Sequence, residues 1–416
     1  MELNKAPVRV NVCNPQLREP GTIYVTTRPG GLPTRSQFSW IVAFYQDGSV
    51  ALNRQYEGTS QDIRHVGGHR LLFSQSAQGI LNELDTDGNT LRRWHARGKF
   101  KDKSPPRGSV ELPVDFMHHT VNVLPDGNLL ILDAESRVMS DWPANADDPN
   151  AARIGAEIVG DVIVEVTTSG QVVKRYHLLD MLDPYRITHG SHAGYWRKQG
   201  FANAFDWSHC NAVAYDAHDD TLIASVRHQD CIVKFRRDTG ELVWILGNHK
   251  HWKDPWRQYL LSPSTDLQWQ FHQHDCSAPT PGRILCFDNG NFRAPAFEAR
   301  RPPGANFSRL VEFEVDPENM GVSQVWSFED PPGDRIYACY QGGALRLPKT
   351  GNTFGTFGGI CTADGQPSDT NVGTDGHARL IEVTPGGEVV FDASIASNEN
   401  AEKLAISAFR ATHVPV

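Results

Sequence analysis

The chain has 416 residues, 39% of them hydrophobic, with 40 basic and 49 acidic side chains and a formal net charge of −9. No run of 18 apolar residues occurs and the basic residues are dispersed, which excludes a membrane-spanning helix and a polyanion-binding track. The opening Met1-Glu2-Leu3-Asn4-Lys5 has no apolar stretch of the signal-peptide kind, and the seven cysteines are odd in number with no Cys-x-x-Cys pair, so the sequence predicts a cytoplasmic protein with reduced, mostly buried thiols.

Taken in chain order, one unit recurs: an alternating apolar strand, an Asp/Gly-type turn and a second strand that often ends on an aromatic residue. Residues 40–45 turn at Asp47-Gly48, and residues 80–84 turn at Asp87-Gly88 and end at Trp94. Residues 162–166 turn at Ser169-Gly170 towards Tyr176, and residues 231–235 turn at Thr239-Gly240 towards Trp244. Residues 310–315 turn near Gly321 and end at Trp326, and residues 380–383 turn at Gly386-Gly387 and end at Phe391. Alternation of period two marks half-buried strands, and a Gly-containing turn between two such runs is a hairpin signal.

Upstream of three copies lies a second hairpin: 121–124 with 129–132 around Pro125-Asp126-Gly127-Asn128, 212–215 with 222–226, and 277–279 with 284–287 around Pro281-Gly282. Two hairpins in series make a four-stranded antiparallel blade. Six copies without helical periodicity predict an all-β fold, a six-bladed β-propeller of four-stranded antiparallel blades forming a single domain over residues 1–416. Face insertions of loops or short helices are predicted near 139–156, 179–205, 248–269 and 330–351. A β-sandwich with a second domain is the rival, but it would not repeat one hairpin to the end of the chain.

Three histidines stand where the inner hairpins begin. His119 lies eight residues before Gly127 and His274 eight before Gly282, while His209 opens the equivalent strand of another blade and Arg227 ends that strand's partner. Inner strands line a propeller's channel, so these side chains are predicted to converge there. Imidazole and guanidinium groups together can bind an oxyanion, a neutral imidazole can act as a nucleophile beside a second one moving a proton, and three imidazoles can hold a divalent metal. Spacing does not choose among these.

The segments Asp206-Trp207-Ser208-His209-Cys210-Asn211-Ala212-Val213, Ser225-Val226-Arg227-His228-Gln229, residues 239–247, Phe271-His272-Gln273-His274-Asp275 and Phe287-Asp288-Asn289-Gly290 resemble the bacterial arylsulfate sulfotransferases, best over residues 115–291. The resemblance implies a six-bladed propeller that moves a sulfuryl group from an aryl sulfate to a phenolic acceptor, with no cofactor, no metal and no nucleotide sulfate donor. It implies that His274 is transiently sulfated, while Arg227, His209 and His119 hold the sulfate oxygens, balance charge and protonate the departing phenolate. Asn211, His118 and His272 are substrate-binding candidates; Asn211 shares a strand face with His209, and His118 is the less favoured because adjacent strand residues face opposite ways. The longer members of that family carry an N-terminal β-sandwich domain, so this chain reads as a compact form, a monomer or homodimer with no nucleic-acid or membrane partner.

Two other readings stand beside it. One is a propeller hydrolase or lyase with His119, His209 and His274 as metal ligands, which stoichiometric bound metal would favour. The other is a non-catalytic propeller presenting its faces to a protein. The aromatic-rich stretches 195–198, 251–256 and 337–340 are predicted either to wall an aryl substrate or to pack blade on blade.

Overall fold

The computed structural model describes residues 4–30, 37–329, 335–396 and 405–416. The chain is an all-β propeller with few helical turns, and no helix among the described residues is long and apolar enough to cross a membrane. The described strands form six hydrogen-bonded sheets. Their innermost strands are β1 (Ile63–His65), β2 (His118–Val123), β3 (Cys210–Asp216), β4 (His274–Ser277), β5 (Gly343–Arg346) and β6 (Ile406–Val414). Each of these neighbours the next, and β6 returns to β1, so the six enclose a common axis.

The recurrent hairpins lie on the outer side of these sheets, for example Ile80–Asp85 against Thr90–Ala96 and Arg309–Asp316 against Gly321–Phe328, and the second hairpins form inner pairs. At Gly170 the turn needs glycine on two counts: φ is +90°, and a Cβ would lie 2.3 Å from the Glu111 carbonyl oxygen. The expected uniform build of six four-stranded blades is corrected, because only two sheets have four strands and the others carry five or seven. Short parallel additions such as Val110–Leu112 on Thr90–Ala96 account for extra strands, and Val8–Cys13 adds to Val389–Ile395.

Residues one apart on a strand serve different neighbours, which is why strands such as Leu129-Leu130-Ile131-Leu132 are apolar on both faces. Leu130 and Leu132 pack towards Val213 and Leu222 of the next sheet, whereas Leu129 and Ile131 pack back onto Leu72 and Leu81. The same division recurs around the ring: Ala212 meets Cys276 and Ile284, Leu285 and Phe287 meet Phe357, Phe354 meets Trp40, and Ile41 meets Phe73. Six inter-sheet cores therefore close the circle. Closure is completed by β6, which pairs antiparallel with Thr22–Pro29 from the other end of the chain.

Residues 143–153 do form a loop, although the ends of the predicted stretch 139–156 belong to the strands Leu129–Trp142 and Ile154–Val166. One insertion prediction is corrected. Residues 330–351 contain strand Ala338–Tyr340 and β5, both paired with Thr353–Ala363, so this stretch supplies channel wall; residues 330–334 lie outside the described residues. The stretches 179–205 and 248–269 do carry short helical turns, Tyr195–Gln199 and Trp256–Tyr259. All seven cysteines are unpaired and six are buried.

Candidate active site

The inner strands begin with a shared irregularity. Register shifts between His118 and Val121 in β2, between Cys210 and Ala212 in β3 and between His274 and Ser277 in β4. His119, His209 and Asp275 have φ of +54°, +45° and +60°. Left-handed backbone is unfavourable for such residues and persists only where surroundings hold it. The His119 amide donates to Gln61 Oε1 at 2.5 Å, and Asp62 Oδ2 accepts from the Thr120 hydroxyl at 2.9 Å and from the Val121 amide at 3.1 Å. Arg410 donates to that same Asp62 oxygen at 3.1 Å and lies 3.3 Å from Asp275, so a buried ion network ties β6, β2 and β4 together behind the histidines.

These bulges turn His119, His209 and His274 into one cavity of about 300 Å³, which Arg227, His228, Asp206, Tyr195 and Phe409 also line. Ring centres of His119 and His209 are 4.7 Å apart, and those of His209 and His228 are 4.5 Å apart in a stacked arrangement. The four residues predicted to carry the chemistry are thus brought together.

Hydrogen bonds fix which nitrogen of each imidazole is bare. The Asn289 amide nitrogen donates to the carbonyls of Ala338 and Gln341, both at 2.8 Å, so its oxygen must face His274 Nδ1 at 2.7 Å. His274 therefore carries its proton on Nδ1 and leaves Nε2 as a lone pair. His209 Nδ1 donates to Asp206 Oδ2 at 2.5 Å, which leaves its Nε2 bare too. His118 Nε2 donates to the Asp133 carbonyl at 3.2 Å, so His118 Nδ1 accepts from His119 Nδ1 at 2.8 Å and His119 also keeps a bare Nε2. His228 Nδ1 donates to the Asp206 carbonyl at 2.7 Å, and its Nε2 accepts from Arg227 Nη1 at 2.6 Å. Arg227 Nη2 donates to the Cys339 carbonyl at 3.3 Å, while its Nε has no partner among the described residues.

Burial, with Arg227 next in order, holds His274 and His209 well below the ordinary imidazole range. Burial followed by the neighbouring histidines does the same for His119, and burial lowers His118 to about 3. Burial pushes Asp161 up to about 8, with the nearby Asp206 charge adding to the shift. These shifts have a stability consequence. The unfolded chain takes protons on its histidines below pH 6.5 and the folded chain does not, so stability falls as pH drops from 6.5 towards 3, by on the order of 1 kcal/mol per pH unit for His118 alone. Asp161 works the other way: the folded state keeps a proton that the unfolded state loses above 3.8, so its contribution is lost as pH rises to about 8. The thermal unfolding midpoint is expected to peak near pH 6.5, falling more steeply on the acid side, where several histidines act together; differential scanning calorimetry across that range checks it.

None of the three predicted substrate-binding residues lines this cavity. Asn211 donates its amide to the Gln273 carbonyl at 2.8 Å and stitches β3 to β4. His118 is turned beside its neighbour because the bulge cancels strand alternation, and it supports His119 and borders an adjoining cavity instead. His272, at φ +52°, has Nδ1 2.9 Å from Asp230 and packs on Phe292. The alternative metal triad of His119, His209 and His274 is also corrected. Among the described residues, the donor group close enough to share an ion is Asp206, His209 and His228, and both of its histidines spend Nδ1 on Asp206 itself.

Of the aromatic stretches, 195–198 and 337–340 reach the cavity, whereas His251 and Trp252 border a separate cleft with Tyr185. Asn289 and Asp206 lay inside recognised motifs without an assigned role; their pairing with His274 and His209 is the signal that could have found them. Arg28, Gln61 and Phe409 come from sheets whose inner strands leave no hairpin signal in the sequence.

A model of the family described as arylsulfotransferase (ASST) matches residues 46–404. The arylsulfate sulfotransferase AssT of Escherichia coli O6:H1 (strain CFT073) is 27% identical over 325 residues, 68% of this chain and 51% of that protein. AssT of Lelliottia amnigena is 30% identical over 221 residues, 43% of this chain and 36% of its own. The chain thus spans about half the length, or less, of these curated relatives. Among solved structures, a Bacteroides caccae protein of unknown function superimposes with a TM-score of 0.46 at 13% identity, covering 94% of this chain and 99% of that one.

Proposed function

Because the chain belongs to the arylsulfotransferase (ASST) family, we propose that it moves a sulfuryl group from an aryl sulfate to a phenol through a sulfohistidine at His274. The observation that carries this reading is the Asn289 clamp, which leaves His274 Nε2 as an unprotonated nucleophile in the cavity that Arg227 lines.

His274 Nε2 attacks sulfur, the sulfur–aryl oxygen bond breaks, and the pair in that bond leaves with the phenolate. The Nδ1 proton stays on His274, so the sulfated ring is cationic and is itself a good leaving group. Arg227, through its unpartnered Nε, stabilises the sulfuryl oxygens as charge spreads over them. In the second half an acceptor phenol gives its proton to a bare Nε2 of His119 or His209, its oxygen attacks sulfur, and the nitrogen–sulfur bond breaks. That proton is then available to the next departing phenolate, so the cycle closes without a co-reactant.

The test is intact-protein mass after brief incubation with 4-nitrophenyl sulfate, with phenol release followed in parallel. A sulfuryl adduct on the wild type that an added phenol discharges supports the transferase, and sulfate released to water with no acceptor dependence points to the hydrolase. The clamp has its own test: Asn289→Ala is expected to slow adduct formation at least about tenfold, since the wrong tautomer is then populated. Nitrogen chemical shifts of His274 should show the Nδ1–H form in the wild type and a mixture in the variant.

A further inference from the structure

The site cavity is not alone. A second cavity of about 260 Å³ adjoins it, and Arg28, Gln61, Tyr195, Tyr340 and Asn371 line both. Phe116 and the tyrosines give this outer cavity aromatic walls, Lys198 lies on its rim, and none of its described lining residues is Asp or Glu although the chain as a whole is acidic.

Arg28 sits at the junction, and among the described residues its guanidinium is held by neutral acceptors. Nη1 donates to the Ser60 carbonyl at 3.1 Å. With the Gln341 amide oriented to suit its neighbours, its oxygen accepts from Arg28 Nε at 3.1 Å and from Nη2, while its nitrogen donates to the Ser407 hydroxyl and the Ala408 carbonyl. Among the described residues no carboxylate comes within ion-pair distance of Arg28, whereas the buried Arg18, Arg309 and Arg410 each meet one, at 3.0, 2.8 and 3.1 Å. Arg28 is only partly buried, so its uncompensated charge stays accessible from the cavities to an anionic ligand. With Nε spent on Gln341, the second N–H groups of Nη1 and Nη2 are what remains of the rigid guanidinium for a carboxylate.

We infer that the two adjoining cavities form an aryl subsite for phenols bearing a carboxylate on the ring, which Arg28 reads at their junction while the phenolic oxygen faces His274. The inference rests on the sulfuryl-transfer reading and names its substrate class. Arg227 serves the sulfuryl group, and Arg28 serves a second anion on the same aryl substrate.

The experiment compares 4-hydroxybenzoate with phenol as acceptors, 4-nitrophenyl sulfate being the donor, in the wild type, Arg28→Gln and Arg28→Lys. The wild type is expected to favour 4-hydroxybenzoate by about tenfold or more in kcat/KM, as one charge-assisted contact allows. Arg28→Gln should collapse that ratio through KM for 4-hydroxybenzoate, and Arg28→Lys should keep part of it. An unchanged ratio, or a loss equal for both acceptors and shared by adduct formation, overturns the inference and places Arg28 in the sulfuryl pocket. If no acceptor is sulfated at all, the transfer reading fails separately, and calorimetric titration of 4-hydroxybenzoate decides the subsite: binding in the wild type that Arg28→Gln abolishes supports it, and no binding overturns it.

Discussion

His274→Asn is expected to abolish the sulfuryl adduct and to lower phenol release from 4-nitrophenyl sulfate by at least about 10⁴-fold, the scale on which loss of a covalent nucleophile is felt. The reason lies in the ring's surroundings. His274 is buried, kept neutral by burial and by Arg227, and oriented by an amide that is itself fixed by two carbonyls. Asparagine can occupy the site without offering an imidazole lone pair. His119→Gln is a useful contrast, because it should slow discharge to the acceptor while the adduct still forms with an activated donor. Single-turnover mass measurements on both variants separate the two roles, and an adduct on His274→Asn would remove His274 from the mechanism.

Arg227→Met is expected to lower the single-turnover rate by about 10²- to 10³-fold, the usual cost of losing a donor aimed at developing charge. It is also expected to lower the unfolding midpoint, because His228 Nε2 and the Cys339 carbonyl lose the guanidinium that satisfies them, at about 1–3 kcal/mol for a buried group left unpaired. Arg227→Lys should recover little of the rate. An ammonium has three donors too, but all spring from one nitrogen, whereas the planar guanidinium places Nη1 on His228, Nη2 on Cys339 and Nε at a third, separate position. Stopped-flow phenol release with scanning calorimetry on the same samples distinguishes the two losses; a variant that loses stability but keeps its rate would make Arg227 a scaffold residue.

Much of this protein is written locally. The outer hairpins follow from alternating apolar residues and glycine turns a few positions apart, so the sequence alone determined an all-β repeat, and the equal offsets of His119 and His274 from their turn glycines determined that they share a level on the channel. The motifs around His209 and Arg227 determined the family likeness in the same way. Contacts that join distant parts of the chain were decided only by the tertiary structure. The pairing of Ile406–Val414 with Thr22–Pro29 is one such contact, since nothing local to either strand specifies the other. Arg28 and Phe409 enter the site through that pairing and were therefore invisible beforehand. Side-chain direction was the other gap. A residue pattern assumes regular alternation, but positive φ at His119, His209 and His272 redirects rings, and neither His118 nor His272 lines the cavity. Backbone irregularity of this kind is stabilised by partners far away in sequence, such as Gln61 for His119, and that is why only the folded chain reveals it.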